Sequence, residues 1–287
     1  MEGGDERGCN SMKRACVIGW PIEHSRSPLI HGYWLKKYGV AGEYTKQAVP
    51  PDEVESFLSA LAANGFAGCN VTVPLKEIVY KAAHKRLPSA DAVGAANTVW
   101  LEDGQVCVEN TDTYGFMTHL AQSAPDWREG SGPAVILGAG GAARAIVHGL
   151  KEAGVDRIIV FNRTAERAKA LARDFGPSVE AREWDARIDA AAWARLIVNT
   201  TTIGMKGEGD LELDFTSATK GCVVADIVYV PLETGLLKAA RDRGLIAVDG
   251  LGMLLHQAVP GFERWFGIRP EVTDELRARI VADLVGP

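Results

Sequence analysis

AVILGAGGAARA, residues 134–145, is the stretch that decides the fold. Four apolar residues run straight into Gly138, Gly140 and Ala143, the spacing G-x-G-x-x-A, and a helical pattern begins at once. Each small residue meets a physical need. Gly138 permits a tight turn, Gly140 lets the backbone approach a pyrophosphate, and Ala143 lets helix and strand pack closely. The helix start offers unpaired N–H groups and a positive dipole end to phosphates. A bare glycine triplet is a weak signal, but one set between a strand and a helix predicts a dinucleotide-binding unit.

The end of the next strand selects the dinucleotide. It reads FNRTAER (161–167), which places Asn162, Arg163 and Thr164 at the strand end and Arg167 one turn on. An NAD site puts an acidic residue here, to accept hydrogen bonds from the ribose hydroxyls. An arginine instead attracts a 2′-phosphate through charge-assisted hydrogen bonds. The pattern predicts NADP(H), the bland alternative being a surface arginine in a loop. Further strands are read at 196–200, 222–229 and 245–250, with helical segments between, so this unit is parallel and doubly wound. It opens after the polar stretch QSAPDWREGSGP (122–133).

The first half alternates too. Strands at 15–19, 42–49 and 68–73 are separated by helices at 28–39 and 51–65, and a helix follows over 75–83. This alternation predicts a mainly parallel sheet covered by helices. Residues 97–110 form a hairpin, turned by EDGQ. After Gly250 come a helical segment MLLHQAV (253–259) and a final helix with Val272, Leu276, Ile280 and Leu284 on one face. Periodicity leaves open whether this last part caps the second unit or returns to the first.

The chain has 287 residues, room for two domains of ordinary size, with 47% hydrophobic and 24% charged residues. A net charge of -6 argues against general nucleic-acid binding, though not against a local basic pocket. No apolar run approaches the roughly 18 residues of a membrane span. MEGGDERGCNS (1–11) is acidic and glycine-rich, the reverse of a secretory signal, and reads as a disordered extension. The five cysteines (Cys9, Cys16, Cys69, Cys107, Cys222) contain no C-x-x-C pair, and four lie in strand-like runs as apolar fillers. A reducing, cytoplasmic setting is expected.

GCNVTVPLKE (68–77) poses the functional question. The strand alternates Val71 and Val73 against Asn70 and Thr72, stops at Pro74, and puts Lys76 where the next element begins. It reads either as a strand, a turn and a solvated helix start, or as an amide, a hydroxyl and an ammonium aimed at one pocket. Several stretches together decide it. GWPIEHSRSPLIH (19–31), GCNVTVPLK, GAANTV (94–99), NTD (110–112), GAGGAARA (138–145), NRT (162–164), NTTTIGM (199–205), DIVYVPLETGLLKAA (226–240) and GLGMLLHQA (250–258) resemble the shikimate/quinate dehydrogenase family, in its order.

That resemblance covers nearly everything after residue 12 and implies specific roles. Lys76 is implied as the catalytic lysine and Asp112 as its acidic partner. Ser25, Ser27, Asn70, Thr72, Asn97, Tyr229 and Gln257 are implied, with that pair, to hold the substrate's carboxylate and hydroxyls. Cofactor contacts are implied for Gly138, Ala139, Gly140, Gly141, Ala142, Asn162, Arg163, Thr164, Arg167, Thr200, Thr201, Gly204, Met205, Ile227, Gly250 and Met253. The fold class implied is α/β with two domains. An open α/β substrate domain (12–113) is completed by the C-terminal helices (250–287), and a Rossmann-type NADP-binding domain spans 114–249. The implied reaction is reversible NADPH-dependent reduction of 3-dehydroshikimate to shikimate, with small molecules rather than nucleic acid or membrane as partners. A homodimer and a monomer both stay open.

The chemistry is coherent without the resemblance. A polyol acid needs several hydroxyl, amide and ammonium groups converging on it, because a buried hydroxyl left unpaired is costly. A ketone under reduction develops negative charge on oxygen, which an ammonium can stabilise and protonate. Val108 and Thr113 depart from the family's glycines around NTD, which bears on loop geometry rather than on Asp112 itself. His24 and His31 read as polar packing around the serine loop. Two alternatives compete: a dehydrogenase accepting quinate or NAD, and a nucleotide-binding sensor without turnover, which would be expected to lose Lys76 or Asp112.

Overall fold

A computed structural model of the protein describes residues 12–285, so the expected N-terminal extension (1–11) lies outside the described residues. The first half comprises β1 (Lys13–Gly19), α1 (Ser27–Lys37), β2 (Gly42–Ala48), α2 (Val54–Ser59), β3 (Phe66–Val71), α3 (Lys76–Ala82), β4 (Lys85–Arg86), α4 (Pro88–Val93), β5 (Thr98–Glu102) and β6 (Gln105–Glu109). Then come α5 (Asp112–Ser123), β7 (Ala134–Leu137), α6 (Gly141–Glu152), β8 (Ile158–Phe161), α7 (Ala165–Phe175) and β9 (Val179–Arg182). The chain ends with β10 (Leu196–Asn199), β11 (Val223–Asp226), α8 (Gly235–Asp242), β12 (Ile246–Val248), α9 (Gly250–Phe266) and α10 (Asp274–Val285).

The second sheet runs β12-β11-β10-β7-β8-β9 and is parallel throughout. Every residue of β7, β8, β10 and β11 is buried, as strands covered by helices on both faces must be. Strand order reverses between β7 and β10, the crevice where doubly wound sheets bind dinucleotides. Gly138 stands at that point with φ 112°, and a Cβ there would come 2.4 Å from Thr200 Oγ1. Only glycine fits.

The first sheet runs β2-β1-β3-β5-β6-β4. β1 pairs in parallel with β2 and β3, but β5 is antiparallel to both β3 and β6. The sheet is therefore mixed. The β5–β6 turn uses Asp103 (φ 51°) and Gly104 (φ 74°), both left-handed as a tight two-residue hairpin requires. The helix expected over 51–65 is a 3₁₀ turn (Pro51–Glu53) leading into the short α2. Its last turns tighten, with Leu61 N–H donating to Leu58 O, and close at Gly65 in the left-handed region.

Two packing facts place the ends of the chain. Leu255, Phe262 and Trp265 of α9 and Leu276 and Ile280 of α10 share one buried cluster with Val17 of β1 and Trp34 of α1. Phe116 and Leu120 of α5 join the cluster under the second sheet, beside Ile136 and Ile146. Gly115 lets α5 lie close on α9, since a Cβ there would come 2.7 Å from Met253 O. Cys16, Cys69, Cys107 and Cys222 are buried free thiols, and among the described residues no helix is long and apolar enough to cross a membrane.

Candidate active site

A cavity of about 580 Å³ opens between the ends of the first sheet and the loops of the second. Ser25, Ser27, Asn70, Thr72, Lys76, Asn97, Asp112, Tyr229 and Gln257 all line it. Residues spread over more than 230 positions of sequence thus meet in one place.

The GCNVTVPLKE stretch is resolved by geometry. β3 ends at Val71, Leu75 N–H closes a turn onto Thr72 O at 2.9 Å, and Lys76 begins α3. Its Nζ donates to Asp112 Oδ2 at 2.6 Å, across to the first residue of α5. Asp112 is held on its other side too. Asn97 Nδ2 donates to Oδ1 at 2.9 Å, and the Asp112 main-chain N–H donates to Asn110 Oδ1 at 3.0 Å. Asn97 is fixed in turn, its Oδ1 accepting from Thr111 N–H at 2.8 Å and Thr98 Oγ1 at 3.1 Å. The carboxylate is 11% exposed and the ammonium side chain 28% exposed, so the pair faces the cavity from a mostly dry frame.

The remaining polar residues divide by how much capacity they keep. Asn70 is largely committed to the frame. Its Oδ1 accepts from Tyr44 OH at 2.6 Å and its Nδ2 donates to Asn97 O at 3.2 Å. Ser25 and Ser27 face each other with Oγ atoms 3.3 Å apart at the start of α1, which begins one residue before Pro28. Burial pushes the Tyr229 phenol up, with the charge of Arg26 pulling the other way.

The departures around NTD are accommodated. Val108 is a buried β6 residue opposite Val99 of β5. Thr113 Oγ1 donates to Ala145 O of α6 at 2.8 Å, a tie to the second sheet's helices that glycine lacks. The two histidines part company. His24 lines the cavity, whereas His31 is fully buried, stacked on Tyr44 at 4.0 Å and edge-on to Trp34. Burial pushes its ring down to about 3; Asn70 lies close enough to oppose this weakly, yet neither ring nitrogen reaches a hydrogen-bond partner. His31 is aromatic core filler, not polar packing around the serines.

Of the sixteen residues implied for the cofactor, Ala142, Met205, Ile227, Gly250 and Met253 line the same cavity from the second sheet's side. Gly138, Ala139, Gly140, Gly141, Asn162, Arg163, Thr164, Arg167, Thr200, Thr201 and Gly204 lie outside its lining, along the carboxyl ends of β7, β8 and β10. Nothing stands within 4 Å of a Cβ built at Gly140 or Gly141, so the turn presents open backbone. Arg163 and Arg167 are exposed and make no ion pair among the described residues. The donor set suits a dinucleotide carrying a 2′-phosphate.

Sequence reasoning passed over several supporting residues. Asn110 and Thr111 stand inside the NTD triplet, where the motif points to Asp112 alone, yet both hold the frame around it. Asp226, at the end of β11, accepts from Asn199 Nδ2 (2.9 Å), Val228 N–H (2.9 Å) and Thr234 Oγ1 (2.8 Å). Burial pushes its carboxyl up to about 6 against those bonds. Tyr44 gave no signal at all, being one residue in an ordinary strand pattern.

A doubly wound sheet with a glycine turn at its switch point, facing a lysine–carboxylate pair among amides and hydroxyls, defines a dinucleotide-dependent dehydrogenase architecture. Family models match in chain order: the shikimate dehydrogenase substrate binding domain at 17–99, shikimate / quinate 5-dehydrogenase at 120–203, and the shikimate 5'-dehydrogenase C-terminal domain at 250–275. The chain belongs to the shikimate/quinate dehydrogenase family. It is 52% identical over 273 residues to the shikimate dehydrogenase (NADP(+)) of Azorhizobium caulinodans, covering 95% of this chain and 97% of that one. It is 53% identical over 283 residues to that of Brucella abortus, covering 98% of each. The Thermus thermophilus shikimate 5-dehydrogenase, solved with NADP(H) and shikimate, superposes with a TM-score of 0.84 at 36% identity, covering 94% of this chain and all of that one. The quinate dehydrogenase of Corynebacterium glutamicum, solved with NAD, gives 0.85 at 30% identity, over 94% and 99%.

Proposed function

We infer that the protein catalyses the reversible NADPH-dependent reduction of 3-dehydroshikimate to shikimate, a step toward the aromatic amino acids. The observation that carries this reading is the Lys76–Asp112 pair, 2.6 Å apart, set among amides and hydroxyls in a cavity between the first sheet and the loops of the second. NADPH, when bound, supplies the hydride. The chain's own residues do the rest. The Lys76 ammonium meets the oxygen on which negative charge grows, stabilising and protonating it. Asp112, itself held by Asn97, keeps that ammonium aimed. Ser25 and Ser27 take the carboxylate, while Asn70, Thr72, Asn97, Tyr229 and Gln257 sort the hydroxyls. Gly138 to Ala142, Asn162, Arg163, Thr164 and Arg167 hold the dinucleotide's phosphates and adenosine ribose. Thr200, Thr201, Gly204, Met205, Ile227, Gly250 and Met253 bound the nicotinamide end.

The substrate domain in this reading comprises 12–113 and 250–287, and the cofactor domain 114–249. The α9 and α10 side chains buried with β1 and α1 support that division, as do those of α5 buried under the second sheet. A cytosolic location fits the four buried free thiols. The intact Lys76–Asp112 pair favours turnover over sensing. Use of quinate as well as shikimate, with NAD, is the second reading, favoured by likeness to the Corynebacterium enzyme. A spectrophotometric assay pairing shikimate or quinate with NADP⁺ or NAD⁺ separates them. A preference for shikimate of at least about tenfold in kcat/KM is expected, since quinate's extra hydroxyl must find space and a partner beside the serines. Equal use of both acids would promote the second reading.

A further inference from the structure

One charge at the serine end of the cavity has no part in the reaction as described. Arg26 stands between Ser25 and Ser27 among the residues that line the cavity, and its side chain is 24% exposed. Its Nε donates to Asp283 Oδ2 of α10 at 3.0 Å, and its Nη1 donates to His24 O at 3.2 Å. The lysine, arginine and acidic residues that line the cavity are Arg26, Lys76 and Asp112. Lys76 and Asp112 touch and cancel, which leaves Arg26, countered only by the half-exposed Asp283, as the remaining positive charge of the cavity. The whole chain carries -6, so an anionic substrate is repelled everywhere else on average. The serines that flank Arg26 offer neutral donors only.

We propose that Arg26 is a substrate-specificity residue: its guanidinium draws an anionic carboxylate to the serine end, and Asp283 holds it there and tempers its pull. Asp283 is 47% exposed, so water weakens its claim on the guanidinium and leaves the field of Arg26 incompletely cancelled. The charge of Arg26 also bears on Tyr229, where it opposes the upward push of burial on the phenol. The C-terminal helix α10 thereby takes part in substrate selection without touching substrate. This inference rests on the reading that the substrate is the shikimate monoanion.

The test compares Arg26→Gln, Arg26→Lys and Asp283→Asn in the full-length protein, after wild type has been shown to oxidise shikimate with NADP⁺. Failure of that first step would overturn the functional reading rather than this one. Arg26→Gln is expected to raise the KM for shikimate about fivefold, with kcat within about twofold and the KM for NADP⁺ unchanged. Arg26→Lys should restore most of the loss. Asp283→Asn should move KM the other way, to lower values. Added salt should raise the wild-type KM and leave that of Arg26→Gln nearly flat. The methyl ester of shikimate, which lacks the charge, should not distinguish Arg26→Gln from wild type. If Arg26→Gln and Asp283→Asn raise KM alike and lower the melting temperature together, Arg26 is only a tether for α10. An equal effect of Arg26→Gln on acid and ester would overturn the proposal in the same way.

Discussion

Lys76→Met removes an ammonium and keeps the apolar stem, and its consequences for chemistry and for stability can be worked separately. On chemistry, the lost group acts where charge grows, so kcat should fall on the order of 10²-fold or more, about 2.7 kcal/mol of transition-state stabilisation. Shikimate affinity should change far less, because the other hydroxyl and amide partners remain. On stability, Asp112 Oδ2 loses its 2.6 Å partner, while Oδ1 keeps Asn97 and the backbone keeps Asn110. Exposed pairs contribute about 0.2–1 kcal/mol, and breaking a buried one costs about 3–5. With Lys76 28% exposed and Asp112 11%, water can replace part of the contact, which points to a loss of about 1–2 kcal/mol. The double variant Lys76→Met/Asp112→Asn removes the stranded charge and should recover most of that stability without recovering turnover. Steady-state kinetics, shikimate binding by calorimetry and urea unfolding read the three quantities. Near-normal kcat in the single variant, or turnover returning with stability in the double one, would refute the assignment.

Arg163→Ala should weaken NADP(H) by about 10- to 100-fold and leave NAD(H) almost unchanged, since only NADP(H) has a 2′-phosphate to lose; equal losses in KM for both would make Arg163 structural. His31→Phe tests burial of a neutral ring. With a native value of about 3 against 6.5 unfolded, the unfolded chain binds the extra proton first as pH falls. Wild type therefore loses about 1.4 kcal/mol per pH unit below 6.5, which the variant does not, so its advantage should grow by about 2 kcal/mol between pH 7 and pH 5. Urea midpoints that shift in parallel for the two proteins would contradict this. Gly252→Ala puts a Cβ 2.0 Å from His119 Nδ1, where the ring is wedged between α5 and α9. A stability loss of about 1–3 kcal/mol by thermal unfolding is expected, and an unchanged melting temperature would mean the ring simply moves aside.

What could be read from residues alone follows the range of the forces involved. The β7–α6 turn was legible because its requirements are local: a strand, three small residues and a helix start within twelve positions. The β5–β6 hairpin was legible from its Asp-Gly turn, but the antiparallel pairing of β5 with β3 was not, since nothing in GCNVTV states whether its neighbour runs with it or against it. The short α2 was misjudged for a related reason. Its apolar spacing suits a full helix, but the turn that closes on Gly65 draws the last residues into i→i+3 bonds. Within the site, Lys76 and Asp112 carried signals because each sits in a motif. Their support did not. Asn70 held by Tyr44, and Asp226 held by Asn199 and Thr234, are side-chain contacts between segments 26, 27 and 8 residues apart, invisible to periodicity.

The placement of the ion pair has a consequence for how the site works. Lys76 comes from α3, Asn97 from the residue before β5, Asn110 from just after β6, and Asp112 from the first turn of α5. The four hydrogen bonds that fix the pair lie among these residues and Thr111, and so within the frame of the first sheet. The very next residue, Thr113, is tied to Ala145 O on α6, and Phe116 and Leu120 already pack beneath the second sheet. From Thr113 onward α5 thus touches the second sheet's helices on one side while Gly115 keeps it close on α9 on the other. Because the bonds that fix the pair stay in the first sheet's frame, a shift of the second sheet's loops leaves the lysine–carboxylate geometry untouched. It changes only how Met205 and Ile227 approach from the opposite wall. The ammonium is thus aimed before any cofactor arrives, and a dipole or charge already in place needs no reorganisation at the moment charge develops.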